Sequence, residues 1–422
     1  MRRSLKLVAG TTLALALMAG TASAQVLFWS SQAAPVEEQQ KMREGVLANF
    51  PGGVDFQPQE PGPFITRIQA ERDAGKGTIG VVGALHGDLS TYADNWADLS
   101  DVDLTGIKVS PAFMELGKLG TTEQKYLPWM QATYVMAANK QALQYLPAGA
   151  DINALTYDQV IAWAKATAEA TGGPKFGFPA GPKGLKHRFF QGFLLPAYTG
   201  SQVTKFRSAE AEEAWNKFKE LWQYTNPAST NYDFMQEPLL TGDVWIAFDH
   251  IARLGEAFNQ KPDDFVAFPA PAGPKGRAFM PVLAGLAVPK GAPDVANSKE
   301  LVKYMMQPEQ QVATLVATTF FPTTDAPLPA DLPKSAQALG PAVTAMTSAA
   351  DALPSLLPVG LGDKGGQFNQ VYIDTFERII LGGQPVRQVL DEQANTLRQI
   401  MTDTKAPCWL PDAPSEGPCP VE

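Results

Sequence analysis

The chain has 422 residues, is 45% apolar and 18% charged, and carries a formal net charge of −9 with only two cysteines and three histidines. That acidic balance, with no Lys/Arg-rich block interleaved with aromatics, argues against a nucleic-acid backbone as partner. No two histidines have i,i+4 spacing and no Cys/Asp cluster accompanies them, which argues against a zinc site and leaves no cofactor implied.

Residues 1–24 begin with Arg2, Arg3 and Lys6, continue as a Leu/Ala-rich run, and end in Ala22-Ser23-Ala24 before Gln25. This is the three-part pattern of a secretory signal peptide. Its removal takes away three positive residues and no negative one, so the formal charge falls from −9 to −12. No cysteine follows the cleavage point to carry a lipid, and no later apolar run is long enough to span a bilayer. A soluble, exported chain is expected. At 422 less 24 residues it exceeds what one hydrophobic core supports, so two lobes are expected.

Val26–Trp29 reads as a short buried strand, with Ser30, Ser31 and Gln32 at its carboxyl end. Pro35 opens a helix with Glu37 and Glu38 in its first turn. Val54–Gln57 alternates like a strand, Phe64–Ala70 is helical, and Ile79–Leu85 is the next buried strand, ending at His86-Gly87-Asp88. This β-α-β-α-β order implies right-handed crossovers and a parallel sheet, which puts Trp29, His86 and Asp88 on one rim. Tyr126–Ala138 is a further apolar run containing Trp129 and Gln131, and a crossing between lobes fits here. Thr156 caps a helix that Gly172 stops. A Gly/Pro-rich loop then delivers His187 and Arg188 to the start of another helix.

The stretch Gly242–Phe258 organises the second lobe. Val244–Phe248 is a β-prone run, Asp249-His250 ends it with charge, and Ile251, Leu254 and Phe258 recur at helical spacing. Asp249, His250 and Arg253 therefore fall at the carboxyl end of a sheet strand, where open α/β sheets bind ligands. The same residues also fit a helix start with Asp249 as N-cap and Arg253 in solvent. Further on, Val282–Val288 is apolar and passes through Ala284-Gly285, where small side chains permit close approach. Helices follow at Val295–Met306, Pro308–Ala317, Gln367–Leu381 and Gln384–Met401. In the tail, Cys408 and Cys419 bracket a short Pro-rich loop, the arrangement of a disulfide staple in an oxidising compartment. Gly360–Gly365 spells GxGxxG but lacks the strand before it that a dinucleotide site needs.

Several spaced markers resemble the carbohydrate-type extracellular solute-binding proteins of ABC importers, the maltose-binding-protein-like group. They are Phe28-Trp29-Ser30, the Ile79–Leu85 strand followed by Tyr92 and Trp96-Ala97-Asp98-Leu99, Leu127-Pro128 before Asn139-Lys140, Phe268-Pro269, Ala287-Val288-Pro289-Lys290, and Met306-Gln307-Pro308. The resemblance spans nearly the whole chain after residue 24. It implies an α/β, two-lobed periplasmic binding protein fold, each lobe a mostly parallel sheet flanked by helices, with a hinge between. Residues 25–133 and 278–329 would form the N-terminal lobe, and 134–277 with 330–422 the C-terminal lobe.

It also implies a periplasmic monomer that captures a small polyhydroxylated solute by lobe closure and hands it to permease subunits in the inner membrane. Ligand-facing positions would be Trp29, Ser30, His86, Asp88, Trp129, Gln131, His187, Asp249, His250, Arg253 and Gly285. Planar polar side chains such as these pair with hydroxyls that both donate and accept, and a Trp face covers the C–H side of a sugar ring. For each histidine an ordinary hydrogen-bonded role is the alternative. An exported glycoside hydrolase using Asp88 and Asp249 as paired carboxylates is the competing function, and the Arg and His also leave room for a sugar acid or a phosphorylated polyol.

Overall fold

Residues 25–33 and 35–422 are described by the computed structural model, so the expected export segment 1–24 lies outside the described residues. Two sheets organise the chain. The first runs in the order Phe321–Pro322, Leu127–Ala132, Val282–Ala287, Val81–Leu85, Val26–Ser30, Val54–Pro58, and the second in the order Phe176–Gly177, Ile246–His250, Tyr134–Asn139, Phe265–Phe268. Helices cover both.

The first three strands of the chain are parallel, as their β-α-β-α-β order requires. Elsewhere the expectation of mostly parallel sheets gives way to mixed ones. Val282–Ala287 is antiparallel to both its neighbours, and Tyr134–Asn139 is antiparallel to both of its own. The cause is the path between lobes. Leu127–Ala132 and Tyr134–Asn139 are separated only by Thr133, so the apolar run read as one strand serves both sheets, and Val282–Ala287 comes back from the second lobe pointing the other way. Thr133 Oγ1 donates to the carbonyl of Met280 at 2.9 Å, tying the outward and return segments together.

Local signals explain the better-defined helices. Thr156 and Gln159 form a reciprocal capping box at the start of Tyr157–Thr171, and Gly172 ends that helix at φ 76°, a conformation glycine adopts without steric cost. Asp294 accepts from Asn297 N at the start of Val295–Met305. Lys186–Phe189 continues through a widened turn at Phe190–Leu194 into Leu195–Thr199. It feeds Phe189, Phe190 and Phe193 into an aromatic core with Phe178, Phe218 and Phe248. The pattern does not predict a helix at Lys334–Thr347, yet one forms there and packs on Phe265–Phe268 despite Pro341 inside it.

The C-terminal segment wraps back onto the second lobe. Cys408 and Cys419 are joined, and the loop they close carries Trp409, whose indole donates to Gln202 Oε1, and the buried Asp412. Non-reducing mass spectrometry of exported protein is expected to find these two cysteines linked; two free thiols would contradict the structure. No helix among the described residues is long and apolar enough to cross a membrane.

Candidate functional site

A cavity of about 880 Å³ opens between the lobes. From the first lobe its wall takes Ser31 and Gln32, just past the Val26–Ser30 strand, Leu85 at the end of Val81–Leu85, and Glu37, Glu38 and Lys41 from the helix Val36–Lys41. From the second lobe it takes Tyr134, Arg188, Phe234, Gln236, His250, Arg253 and Asn259. Ser31, Gln32, Leu85 and His250 stand at carboxyl ends of sheet strands, the edge where open α/β sheets hold ligands. A second cavity, about 1120 Å³, lies against the opposite face of the hinge, where Gln131, Thr133 and Pro281 take the place of Tyr134 and Val282. Its wall is mostly carbon, from residues such as Phe113, Leu332 and Val343, and gives a hydroxylated solute few partners.

In the polar cavity the second lobe supplies mainly donors. His250 Nδ1 accepts from Ala252 N at 3.3 Å, which leaves its Nε2 carrying the proton, and burial together with nearby Arg253 holds the ring neutral, with a pKa down to about 3. His250 sits edge-on to Tyr134 at 5.0 Å and beside Phe320 at 5.4 Å. Arg253 donates to the carbonyls of Lys183 and Asp233, and its guanidinium lies 4.6 Å from the centre of the Phe234 ring. That stack steadies an aromatic face that stays 45% exposed. The Arg188 guanidinium donates to Gln191 Oε1 at 3.2 Å and to no other described group. Among the described residues no carboxylate forms an ion pair with Arg188 or Arg253.

The acids come mostly from the first lobe. Burial pushes Glu38 up to about 7, with Lys41 opposing the rise. Burial likewise raises Asp88 to about 6, against the attraction of Arg188 across the cleft. The helix His86–Thr91 that carries Asp88 approaches the second lobe so closely that a Cβ on Gly87 would lie 2.5 Å from the carbonyl oxygen of Pro358.

Of the eleven expected ligand-facing residues, His250 and Arg253 line this cavity and Asp88 stands beside it in electrostatic reach of Arg188. The others are committed elsewhere. Trp129 is fully buried in the first-lobe core, 5.4 Å from Phe28, because both faces of its strand are covered. Trp29 lies under the helix Pro61–Asp73, donating to Phe64 O at 3.3 Å with Arg67 stacked 4.4 Å away. Ser30 closes a local turn with Gln32, and His86 Nδ1 meets Tyr126 OH at 2.8 Å. Gln131 donates to Pro322 O and belongs to the apolar cavity. His187 is buried with Nδ1 unpartnered and does not line the polar cavity.

Asp249 is fully buried and acts behind the site. Its oxygens accept from Met235 N at 2.9 Å and His250 N at 2.7 Å, and burial raises its pKa to about 7. It thereby fixes the loop that presents Phe234. Gly285 leaves room for the Tyr126 ring, 2.1 Å from where its Cβ would be, so its small size serves packing in the first lobe.

Sequence reasoning missed Phe234, Tyr134, Glu38 and Arg188 as cavity residues. Phe234 sits in a loop with no periodicity, and the available signal was an aromatic beside the turn residues Asn231 and Asp233.

A family model described as bacterial extracellular solute-binding protein matches residues 48–341. Among solved structures, maltose-bound MalE3 of T. maritima superposes with a TM-score of 0.71 at 16% identity, covering 89% of this chain and 100% of that one. The sugar-binding protein MalE from the phytopathogen Xanthomonas citri gives 0.71 at 17% identity, over 90% and 98% of the two chains. UgpB from Mycobacterium tuberculosis in complex with glycerophosphocholine gives 0.69 at 18% identity, over 90% and 99%. At such identities the likeness is one of fold. No curated protein sequence matches the chain.

Proposed function

The chain belongs to the bacterial extracellular solute-binding proteins, and from that premise we propose that it captures a small carbohydrate, sugar alcohol or related polyhydroxylated solute in the polar interlobe cavity and delivers it to the permease of an ABC importer. The observation that carries this reading is the wall of the 880 Å³ cavity, in which both lobes present polar side chains around an exposed aromatic ring. Hydroxyls need donors and acceptors together: Arg188, His250 and Arg253 offer the first, Glu38 and Asp88 the second. Hydrogen bonds to charged groups contribute roughly 1.5–3 kcal/mol each, so a few reach the approximately −8 kcal/mol of a micromolar site.

The lobes would divide close to the expected boundaries, residues 25–133 with 278–329 against 134–277 with 330–422. The pairing of Arg277–Phe279 with Ala352–Pro354 supports a return crossing at Met280-Pro281 within this reading. Closure about this hinge would favour the solute-bound form by differential affinity. Export through residues 1–24 into the periplasm belongs to the same reading. The hydrolase alternative finds no support in the geometry, since both oxygens of Asp249 are held by backbone N–H groups away from the cavity.

Isothermal titration of the purified chain against monosaccharides, oligosaccharides, polyols, sugar acids and phosphorylated polyols tests the proposal. Stoichiometric binding without product supports it, turnover supports the enzyme, and inertness toward the whole set removes it. Phe234→Ala is expected to weaken binding roughly 10-fold, the loss of one aromatic face of about 1–1.5 kcal/mol. Because the ring is exposed, the unfolding midpoint should hold; unchanged affinity would take Phe234 out of the site.

A further inference from the structure

Resting on the receptor reading, we propose that the solute is acidic, and that its carboxylate or phosphate-ester group seats on Arg188 at the floor of the interlobe cavity, flanked by Arg253, the Tyr134 hydroxyl and the Nε2–H of His250. The floor is built from donors. Arg188 spends one hydrogen bond on Gln191, and the rest of its planar fork has no described acceptor. Arg253 is neutralised by no carboxylate contact, and its two bonds run to main-chain carbonyls. Arg188, Arg253 and the buried Tyr134 line the same cavity, so both guanidinium groups face one space. Asp249, next to His250 in sequence, has both oxygens engaged by backbone N–H groups. A desolvated cation without an acceptor is costly, and a planar or tetrahedral oxyanion supplies bidentate acceptors that a neutral hydroxyl does not.

The acids facing the cavity are arranged consistently with this. Glu37 and Glu38 lie on the Val36–Lys41 helix and Glu256 on Gly255–Gln260, and none of them pairs with Arg188 or Arg253; Asp88, beside the cavity, is in electrostatic reach of Arg188 without forming an ion pair with it. They stand where the hydroxylated remainder of the solute would extend, as acceptors.

Matched neutral and acidic probes test this on the intact chain by titration calorimetry: D-glucose against D-glucuronate and D-gluconate for a carboxylate, glycerol against glycerol 3-phosphate and D-glucose against D-glucose 6-phosphate for a phosphate. At least one acidic member is expected to bind about 100-fold more tightly than its neutral partner, the worth of a bidentate charged contact, and the arm in which this occurs identifies the anion. Arg188→Gln should abolish that preference, weakening the acidic member about 100-fold more than its neutral partner, and Arg188→Lys should restore part of it. Neutral partners that bind as well as or better than every acid overturn the proposal and leave the receptor reading standing, and the wild-type comparison decides this even if the Gln variant fails to fold. A preference that survives in folded Arg188→Gln also overturns it. If no sugar, polyol or acid binds, the receptor reading fails and the proposal with it.

Discussion

Valine in place of Gly87 is expected to weaken solute binding roughly 10- to 100-fold, corresponding to the ~1–3 kcal/mol of overpacking that a rigid contact imposes. A side chain there would meet the carbonyl oxygen of Pro358, which belongs to the other lobe and is backbone, unable to swing aside. Gly87 is not among the residues at positive φ, so the substitution brings no strain of its own. Rotation that widens the cleft relieves the clash, and the burden therefore falls on the closed form. Stability should change little, and Gly87→Ala should show a smaller effect in the same direction. Full affinity in Gly87→Val would mean that binding does not require the two lobes to approach at this point.

The largest effect on folding is expected at Asp412. This carboxylate is buried inside the loop closed by Cys408 and Cys419, and it accepts from the backbone N–H groups of Gln202, Val203 and Thr204 and from the hydroxyls of Ser201 and Thr204. Five donors on one side chain fasten the tail to the turn after Leu195–Thr199. Asp412→Ala strands those donors in a buried setting, for an expected loss of about 3–5 kcal/mol in denaturant unfolding. Asp412→Asn, which keeps the shape but not the charge, should lose less. Reduction of the disulfide should expose the same dependence, since the loop then has only its hydrogen bonds to hold it. An unshifted unfolding midpoint for Asp412→Ala would show that the tail contributes nothing to the second lobe.

Where a residue's neighbours in sequence are also its neighbours in space, the chain is readable. Thr156 and Gly172 bracket their helix as caps, Phe265–Phe268 and Val282–Ala287 form where β-prone runs lie, and the 126–138 run crosses between sheets. The direction of Val282–Ala287 was not readable, because none of its local properties records that it returns from another lobe. The helix Lys334–Thr347 was hidden by Pro341, whose cost is outweighed by burial of Leu339, Ala342 and Met346.

At the site, strand ends were located correctly in outline but side-chain direction was not. A Trp at a strand end points either to a covering helix or to a cleft, and at Trp29 and Trp129 the covering layers hold it. Asp249 looked like a ligand group because it is charged and ends a strand. It proved to be the anchor of a loop fourteen residues away. Phe234 owes its place to a long-range partner, Arg253, which spacing along the chain does not express; Arg188 bonds locally to Gln191, and only the fold brings the cavity to it.

The central claim is that one solute molecule occupies the polar cavity and touches both lobes at once. A crystal structure of the chain with a solute identified by titration tests it most directly. Density is expected between the Ser31-Gln32 turn of the first lobe and Arg188 and Phe234 of the second. Density confined to one lobe, or seated in the apolar cavity beyond Gln131 and Thr133, would contradict it.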